Sequence, residues 1–487
     1  MSSFSFVSLL PILILAVGGI VVLSVDLFFK NAGRNAFATI TIAALLMAIA
    51  ALFYLDFVER SLFDALLIDG LAKASLWVII GASLLFMPLA FTGMRFLEYQ
   101  FAEFYALFLF MAAGFAAMVS SDNLIVIVIG LETGSLALYT LISMHRRDKA
   151  LEAALKYFTM GALAAGLLIF GVMLLYAATG SLEIGKIQSA LVTSGFEHTS
   201  LIVAASAFII AGLGFKLSIV PFHTWTPDVY EGSSAPMAGY MSIAPKIAGF
   251  AVAIRLFDFL AQSPDRAVYA LLYIVAVATL TIGNLLALMQ DDVKRMLAFS
   301  SISHAGFVMC AFVMGSSEAH AGLFLYWVLF LFTNLGAFAM LWISRHPSKT
   351  WDIRFDHPYG KFSGMIKLSP MGAVIMAIFM LSLAGIPPFA LFFGKIYLIG
   401  EAIASDHLYL ALIMLVNSAI AVYYYLKLIV YMFLRDPSDN DGTVYYQNGA
   451  VPLKIVLGVA AVMVVTSFFW IEPLLGSLND LIVAGGY

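Results

Sequence analysis

The chain has 487 residues, 63% of them hydrophobic and 11% charged, with a mean hydropathy of +1.00 and a formal net charge of −4. A soluble domain carries about 25% charge, so water is not the main solvent here, and the apolar runs leave no gap that would hold a soluble domain of useful size. Basic residues scattered through short loops leave no nucleic-acid footprint, and the single cysteine, Cys310, excludes an internal disulfide or an iron-sulfur site built from several thiolates.

Apolar runs of roughly twenty residues, each long enough to cross a hydrocarbon core of about 30 Å, recur from end to end. The first, Phe4 to Phe29, has no basic leader and exceeds a signal h-region, so it reads as a retained helix. The runs lie near 5-29, 37-58, 75-93, 101-119, 123-143, 151-178, 201-223, 238-260, 266-289, 296-314, 319-343, 370-402, 408-433 and 452-474. They predict an all-α polytopic membrane protein of about fourteen transmembrane helices. Assigned alternately to two faces, the loops sort their charges. One face collects Lys30, Arg34, Arg95, Arg146, Arg147, Lys149, Lys294, Arg295, Arg345, Lys349, Arg354, Lys361, Lys367, Arg435 and Lys454; the other has Arg60, Lys73, Lys186 and Arg266. The basic-rich face is expected to be cytoplasmic, which puts both termini on the periplasmic side.

Two runs are unlike ordinary spans. Val220-Pro221-Phe222-His223, with Pro227 following, and Gly385-Ile386-Pro387-Pro388-Phe389 predict broken helices, the seventh and the twelfth. Proline removes a backbone donor and clashes with the preceding turn, and lipid cannot satisfy the groups so freed, whereas a hydrated cavity can. The two Pro-Phe pairs are 167 residues apart, and Ser120-Ser121-Asp122 resembles Met289-Gln290-Asp291-Asp292 at an offset near 170. The expected organisation is a three-helix segment (1-100), a five-helix repeat (101-260), an inverted five-helix repeat (266-433) and a C-terminal helix and tail (452-487).

An ionisable group at the bilayer centre costs about 2.5 to 3.5 kcal/mol on insertion scales, so each one needs a partner, water or a function. Glu132 stands mid-helix among Gly130, Thr133, Gly134 and Ser135 and reads as a proton-handling carboxylate; an interhelical hydrogen bond is the competing reading. Lys216 precedes the first break, Lys246 follows Ala244-Pro245 in mid-helix, and Lys395 follows the second break. A buried amine is loaded or released by modest changes in its surroundings, which suits a transfer relay; snorkelling to an interface is the alternative, and it suits Lys427 and Arg255 better. His304, at an offset of 172 from Glu132, and His223, beside the first break, either carry protons or serve as structural donors. Lys156 is either a relay member or an anchor at the cytoplasmic end. The eight histidines lack metal-ligand spacing, so no metal is expected. Gly212-Leu213-Gly214 lies in an apolar run without the strand-to-helix context of a dinucleotide fingerprint, so no nucleotide is expected either.

At these residues the chain resembles the antiporter-like subunits of complex I, the respiratory NADH:quinone oxidoreductase, which are relatives of multisubunit cation/proton antiporter and membrane-bound hydrogenase subunits. The run Gly214-Phe215-Lys216-Leu217-Ser218-Ile219-Val220-Pro221-Phe222-His223-Thr224-Trp225-Thr226-Pro227-Asp228-Val229-Tyr230-Glu231-Gly232 is similar to the family's seventh-helix motif. Ala298-Phe299-Ser300-Ser301-Ile302-Ser303-His304-Ala305-Gly306 resembles the tenth, and Leu383-Ala384-Gly385-Ile386-Pro387-Pro388 with Phe392-Phe393-Gly394-Lys395 resembles the twelfth. Lys395, Ala154-Leu155-Lys156-Tyr157-Phe158 and the absence of a lateral helix after the core look like the N-type branch. Thr133-Gly134 departs from the bulkier residues usual after the glutamate.

The resemblance implies a relay in which Glu132 and Lys216 form a coupled pair on the cytoplasmic side, Lys246 is central and Lys395 faces the exit, with water chains between them. Weakening the Glu132-Lys216 attraction would push a proton toward Lys246. It also implies that NADH, FMN, iron-sulfur clusters and quinone belong to partner subunits and none to this chain. The expected partners are sister antiporter-like and small membrane-arm subunits and the lipid bilayer; protons are the expected cargo, and a bacterial inner membrane the expected location. A cation/proton antiporter or membrane-bound hydrogenase subunit, and a non-pumping scaffold, are the alternatives. Nothing in the polar residues suggests the midplane substrate site of a solute permease.

Overall fold

Lipid offers no hydrogen bonds, so a chain this apolar must pair its backbone internally, and a helix does so within each segment. The structure, a computed structural model, describes residues 7–55, 59–61, 65–90, 97–264, 266–345, 356–437, 445–446 and 450–487; Arg95, Lys349 and Arg354 lie outside them. Helices follow one another as α1 (Leu10–Phe28), α2 (Arg34–Leu52), α3 (Gly70–Ala90), α4 (Ala102–Val119), α5 (Leu124–Ser143), α6 (Asp148–Thr179), α7 (Ile184–Thr193), α8 (Thr199–Leu217), α9 (Trp225–Gly232) and α10 (Ala235–Met241). Then come α11 (Ala244–Leu260), α12 (Ala267–Leu288), α13 (Val293–Met314), α14 (Ser317–Ile343), α15 (Met365–Leu368), α16 (Pro370–Ala384), α17 (Ala390–Ala404), α18 (Leu408–Leu434), α19 (Val451–Val465) and α20 (Ser467–Ala484). The strands are two short antiparallel pairs, β1 (Glu59–Ser61) with β2 (Leu66–Ile68) and β3 (Ser344–Arg345) with β4 (Tyr445–Tyr446).

Among the described residues eleven helices are long and apolar enough to cross a bilayer, or twelve if α19 and α20, bent by 80°, form one span. The other two expected spans differ for visible reasons. The run 238-260 is α11, shortened to 17 residues and carrying Lys246, Arg255 and Asp258, while 370-402 divides into α16 and α17 of 15 residues each. No apolar run marks α7, whose amphipathic ten residues follow the left-handed Gly180 that ends α6, and the expected single helix at 452-474 is instead α19 and the first part of α20, which continues to Ala484.

Pairs of neighbouring helices pack closely where glycine lets their backbones meet. A Cβ on Gly130 of α5 would meet Gly114 O at 2.7 Å on α4, and one on Gly283 of α12 would meet Ser303 N at 2.7 Å on α13. The burial gradient matters most for function. Every described residue of α13 except Arg295 is buried, as is all of α11 except Asp258, whereas α1, α6 and α18 present leucine, isoleucine and phenylalanine outward. Lys246 and His304 therefore sit on the helices farthest from lipid.

Four of the loops pair with loops assigned to the same face. Leu124 N–H donates to Leu182 O and Ile184 N–H to Asp122 O, both at 2.9 Å, joining two loops of the basic-poor face. Val293 N–H donates to His357 O at 2.8 Å and Tyr359 N–H to Asp291 O at 3.3 Å, joining two of the basic-rich face. The 22 residues of α13 separate the two ends by about 33 Å.

Candidate functional site

Both broken helices stop before a residue in the left-handed region: α8 before Ser218 (φ 62°) and α16 before Gly385 (φ 80°). Their caps match bond for bond. Ser218 N–H donates to Phe215 O (3.1 Å) and Ile219 N–H to Gly214 O (2.9 Å); Gly385 N–H donates to Ser382 O (2.9 Å) and Ile386 N–H to Leu381 O (3.0 Å). What differs is the side-chain donor that meets the last carbonyls, which carry the negative end of the helix dipole. At the first break Trp225 Nε1 donates to Phe215 O at 2.9 Å; at the second Lys395 Nζ donates to Leu383 O and Ala384 O at 3.1 and 3.0 Å. Lys395 is 6% exposed and turns inward onto a helix end, so it does not snorkel.

Lys216, in the last turn of α8 and 3% exposed, donates from Nζ to Ser135 Oγ at 2.9 Å and lies 3.5 Å from Tyr157 OH and 5.0 Å above the Phe115 ring. Glu132 is one turn before Ser135 on α5 and half-buried. The structure brings the two expected partners to the same region, where α5 and α8 both pack on α6, without a direct ion pair; the short contact of the amine goes to Ser135.

Lys246, 1% exposed, donates to Ser301 O at 2.8 Å and Ser301 Oγ at 3.2 Å. One turn farther along α13, His304 Nδ1 is 2.6 Å from Tyr326 OH and Nε2 is 3.0 Å from Tyr425 OH. A neutral imidazole donates through one nitrogen and accepts through the other, so one tyrosine donates and the other accepts. Between His304 and Lys395 lies a cavity with room for about one water, lined also by Asn284, Ser303, Asn417 and Tyr424. Tyr424 OH donates to Asn284 Oδ1 at 2.9 Å and Asn284 Nδ2 to Asn417 Oδ1 at 3.1 Å. Among the described residues no carboxylate lies within the 4.0 Å ion-pair distance of Lys216, Lys246 or Lys395.

Lys156 belongs to a different assembly. It is 42% exposed and pairs with Glu152 (2.6 Å) and Asp228 (3.0 Å), opening a network on the basic-rich face that runs through Arg295 (2.9 Å to Asp228, 2.6 Å to Glu231), Lys149 (3.3 Å to Glu231 and to Asp356) and Arg147 (3.8 Å to Asp356). Burial works against ionisation of Asp228 and Glu231, yet the hydrogen bonds from Arg295, with Lys156 and Lys149 respectively, hold both carboxyls below their usual range. His223 is half-buried in the turn after α8, and its Nδ1 has no hydrogen-bond partner among the described residues.

Arg255 does not snorkel as its position near a helix end suggested. It is 1% exposed and clamps Asp69 of the β2–α3 junction through Nη2 at 2.8 Å, with Tyr487 OH 3.0 Å from Nη1. The sequence reading also missed Ser135, Ser301, Asn284 and Asn417. Each is a polar residue in mid-span, and a search that weighed amides and hydroxyls beside charges would have found the two asparagines.

A family model described as NADH:quinone oxidoreductase/Mrp antiporter, transmembrane, matches residues 121–421. Across its whole length the chain is 52% identical to 98% of the NADH-quinone oxidoreductase subunit N of Sulfurimonas denitrificans, and 48% identical to 98% of that of Campylobacter concisus. Among solved structures it is similar to a chain of respiratory complex I from Thermus thermophilus, at 30% identity and TM-score 0.80 over 96% of this chain and 99% of that one. A chain of the Mrp complex from a Dietzia species shares the fold at 21% identity and TM-score 0.80, over 99% and 100% of the two chains.

Proposed function

The chain belongs to the NADH:quinone oxidoreductase/Mrp antiporter family, among the subunit N relatives of complex I, and from that premise we propose that it translocates protons along its buried Glu/Lys relay. In this reading the energy comes from quinone reduction carried out by partner subunits, which hold NADH, FMN, the iron-sulfur clusters and quinone. The membrane is the bacterial inner membrane, with the basic-rich face cytoplasmic and both termini periplasmic.

The observation that carries the proposal is the set of three amines in the protein interior, none with a carboxylate at ion-pair distance among the described residues, with His304 and its two tyrosines beside the second and third. An isolated ammonium in a low-dielectric interior is costly, so a purely structural lysine would have its partner beside it. Here the amines rest on hydroxyls and carbonyls, and their protons are free to leave. Glu132 on α5 acts on Lys216 on α8; a proton displaced from Lys216 moves to Lys246, which is held by Ser301. His304 takes it up through one ring nitrogen and passes it on through the other, by way of the Asn284–Asn417–Tyr424 cavity, to Lys395 at the end of α16. Water links the steps that side chains do not span.

The matched caps at Ser218 and Gly385, 167 residues apart, support the further reading that 101-260 and 266-433 are inverted repeats. So do the paired loop bonds at Leu124 and Val293, which lie on opposite faces.

The test is NADH-driven proton uptake by membrane vesicles carrying the assembled complex, with quinone reduction followed in parallel. Glu132→Gln and Lys246→Ala are each expected to reduce uptake at least fivefold; wild-type uptake in both at normal assembly would leave the chain a scaffold.

A further inference from the structure

A large polar cavity lies away from Lys395, on the basic-poor side of Lys246. At the basic-poor end α11, α12, α13 and α14 and the turn after α17 line this cavity of about 820 Å³, formed by Phe257, Asp258, 261–264, Arg266, Tyr269, 312–315, His320 and 405–407. His320, in the first turn of α14, lines it and is itself 1% exposed, and its Nδ1 has no hydrogen-bond partner among the described residues. Two turns deeper on the same face of α14, Trp327 is fully buried, with its Nε1–H likewise unpartnered among the described residues. Buried polar groups without a protein partner are where ordered water is expected. Trp327 lies about 10 Å from His320 along the helix axis, a distance that a few waters bridge.

The other wall of this seam leads to Lys246. Phe250, one turn after Lys246 on α11, has its ring 5.6 Å from Trp327 and 5.7 Å from Phe312, and Phe312 lines the cavity. Lys246 uses two bonds on Ser301, whereas an ammonium carries three donors. Three aromatic rings thus link the turn of α11 that follows Lys246, an amine with a donor to spare, to a wide polar cavity, and an apolar constriction of this kind can gate by wetting and drying. Asp258, Asp406, Arg266, His407 and Tyr269 also face this cavity, with Glu318 two residues before His320 on α14, and the two aspartates favour a cation at its mouth.

We propose that His320 is a proton-carrying residue of a release branch from Lys246 to the basic-poor face, gated by Phe250, Phe312 and Trp327. This rests on the proton-relay reading of Lys246. When the rings part and water enters, a proton leaves Lys246 Nζ along the water past Trp327. His320 takes it at whichever ring nitrogen is unprotonated and gives one up from the other to cavity water, so the ring ends neutral and no electron moves.

The experiment uses the assembled complex. His320→Gln keeps a hydrogen-bonding side chain and removes titration, and it is expected to lower proton uptake per quinone reduced at least twofold. Trp327→Phe keeps the ring, removes the N–H and should give a smaller fall. In intact cells the double variant Cys310→Ala, His320→Cys should react with a membrane-impermeant cationic thiol reagent added outside, faster during NADH-driven turnover than at rest. Wild-type uptake in His320→Gln, or no labelling from outside, overturns the branch if Lys246→Ala still abolishes uptake; wild-type uptake in Lys246→Ala as well overturns the relay itself. If the cysteine variant does not assemble, His320→Gln alone decides.

Discussion

Gly385 shows how much one missing side chain can carry. Its φ of 80° suits glycine, and a Cβ there would come 2.7 Å from Lys395 Cδ and 3.1 Å from Nζ. Gly385→Ala is therefore expected to displace the amine from the α16 carbonyls and to cost about 1–2 kcal/mol of backbone strain. Proton uptake should fall with it, and a melting curve of the detergent-solubilised complex reads the stability. Ser135 acts by presence instead: Ser135→Ala leaves Lys216 without its 2.9 Å acceptor while Glu132 stays in place. Uptake should fall severalfold, and Ser135→Thr, which restores a hydroxyl, should recover most of it. Lys216 and Glu132 were legible from the sequence because charge in an apolar run is conspicuous. Ser135 was not, because serine is common between helices and only the fold, which brings Lys216 of α8 to within 2.9 Å of it, singles this one out.

At the scale of elements, the basic-rich face is a brace. Its network joins the start of α6, α9 just past the first break and the start of α13, so the ends of three segments move together or not at all. Both carboxyls on α9 titrate below their usual range, and groups depressed in the folded state stabilise above the unfolded pKa and lose that contribution only as pH falls through the folded one. The stability difference between wild type and Asp228→Asn is thus expected to stay constant from pH 8 to about 5 and to shrink below about 4, as thermal unfolding at each pH would reveal. A difference that vanished between pH 7 and 6 would point to a histidine instead. The two helix breaks were visible in the prolines, while the brace was not: its members are spread from 147 to 356, and no local pattern says that they meet.

At the scale of the molecule, the Arg255–Asp69 pair fastens α11 of the interior to α3 of the N-terminal helices. Removing one partner of a buried pair leaves the other charge stranded, at about 3–5 kcal/mol, while replacing both by apolar residues is often neutral. Arg255→Met should sharply lower the melting temperature and the yield of assembled complex, and adding Asp69→Leu should restore most of both.

Composition and hydropathy by themselves determined the solvent, the helical class, the alternation of loop charge between two faces and the two proline-marked helix breaks, though not the bend between α19 and α20. Each of these follows from residues close together in the chain and from the bilayer's refusal of unpaired polar groups. Only the tertiary structure decided which hydroxyl, carbonyl or ring each buried amine rests on, that Arg255 is clamped while Lys156 is braced at the surface, and that α11, α13 and α14 form the interior. Those outcomes depend on helices distant in sequence sharing one seam, and side-chain partners across a seam are set by packing, which no run of residues encodes alone.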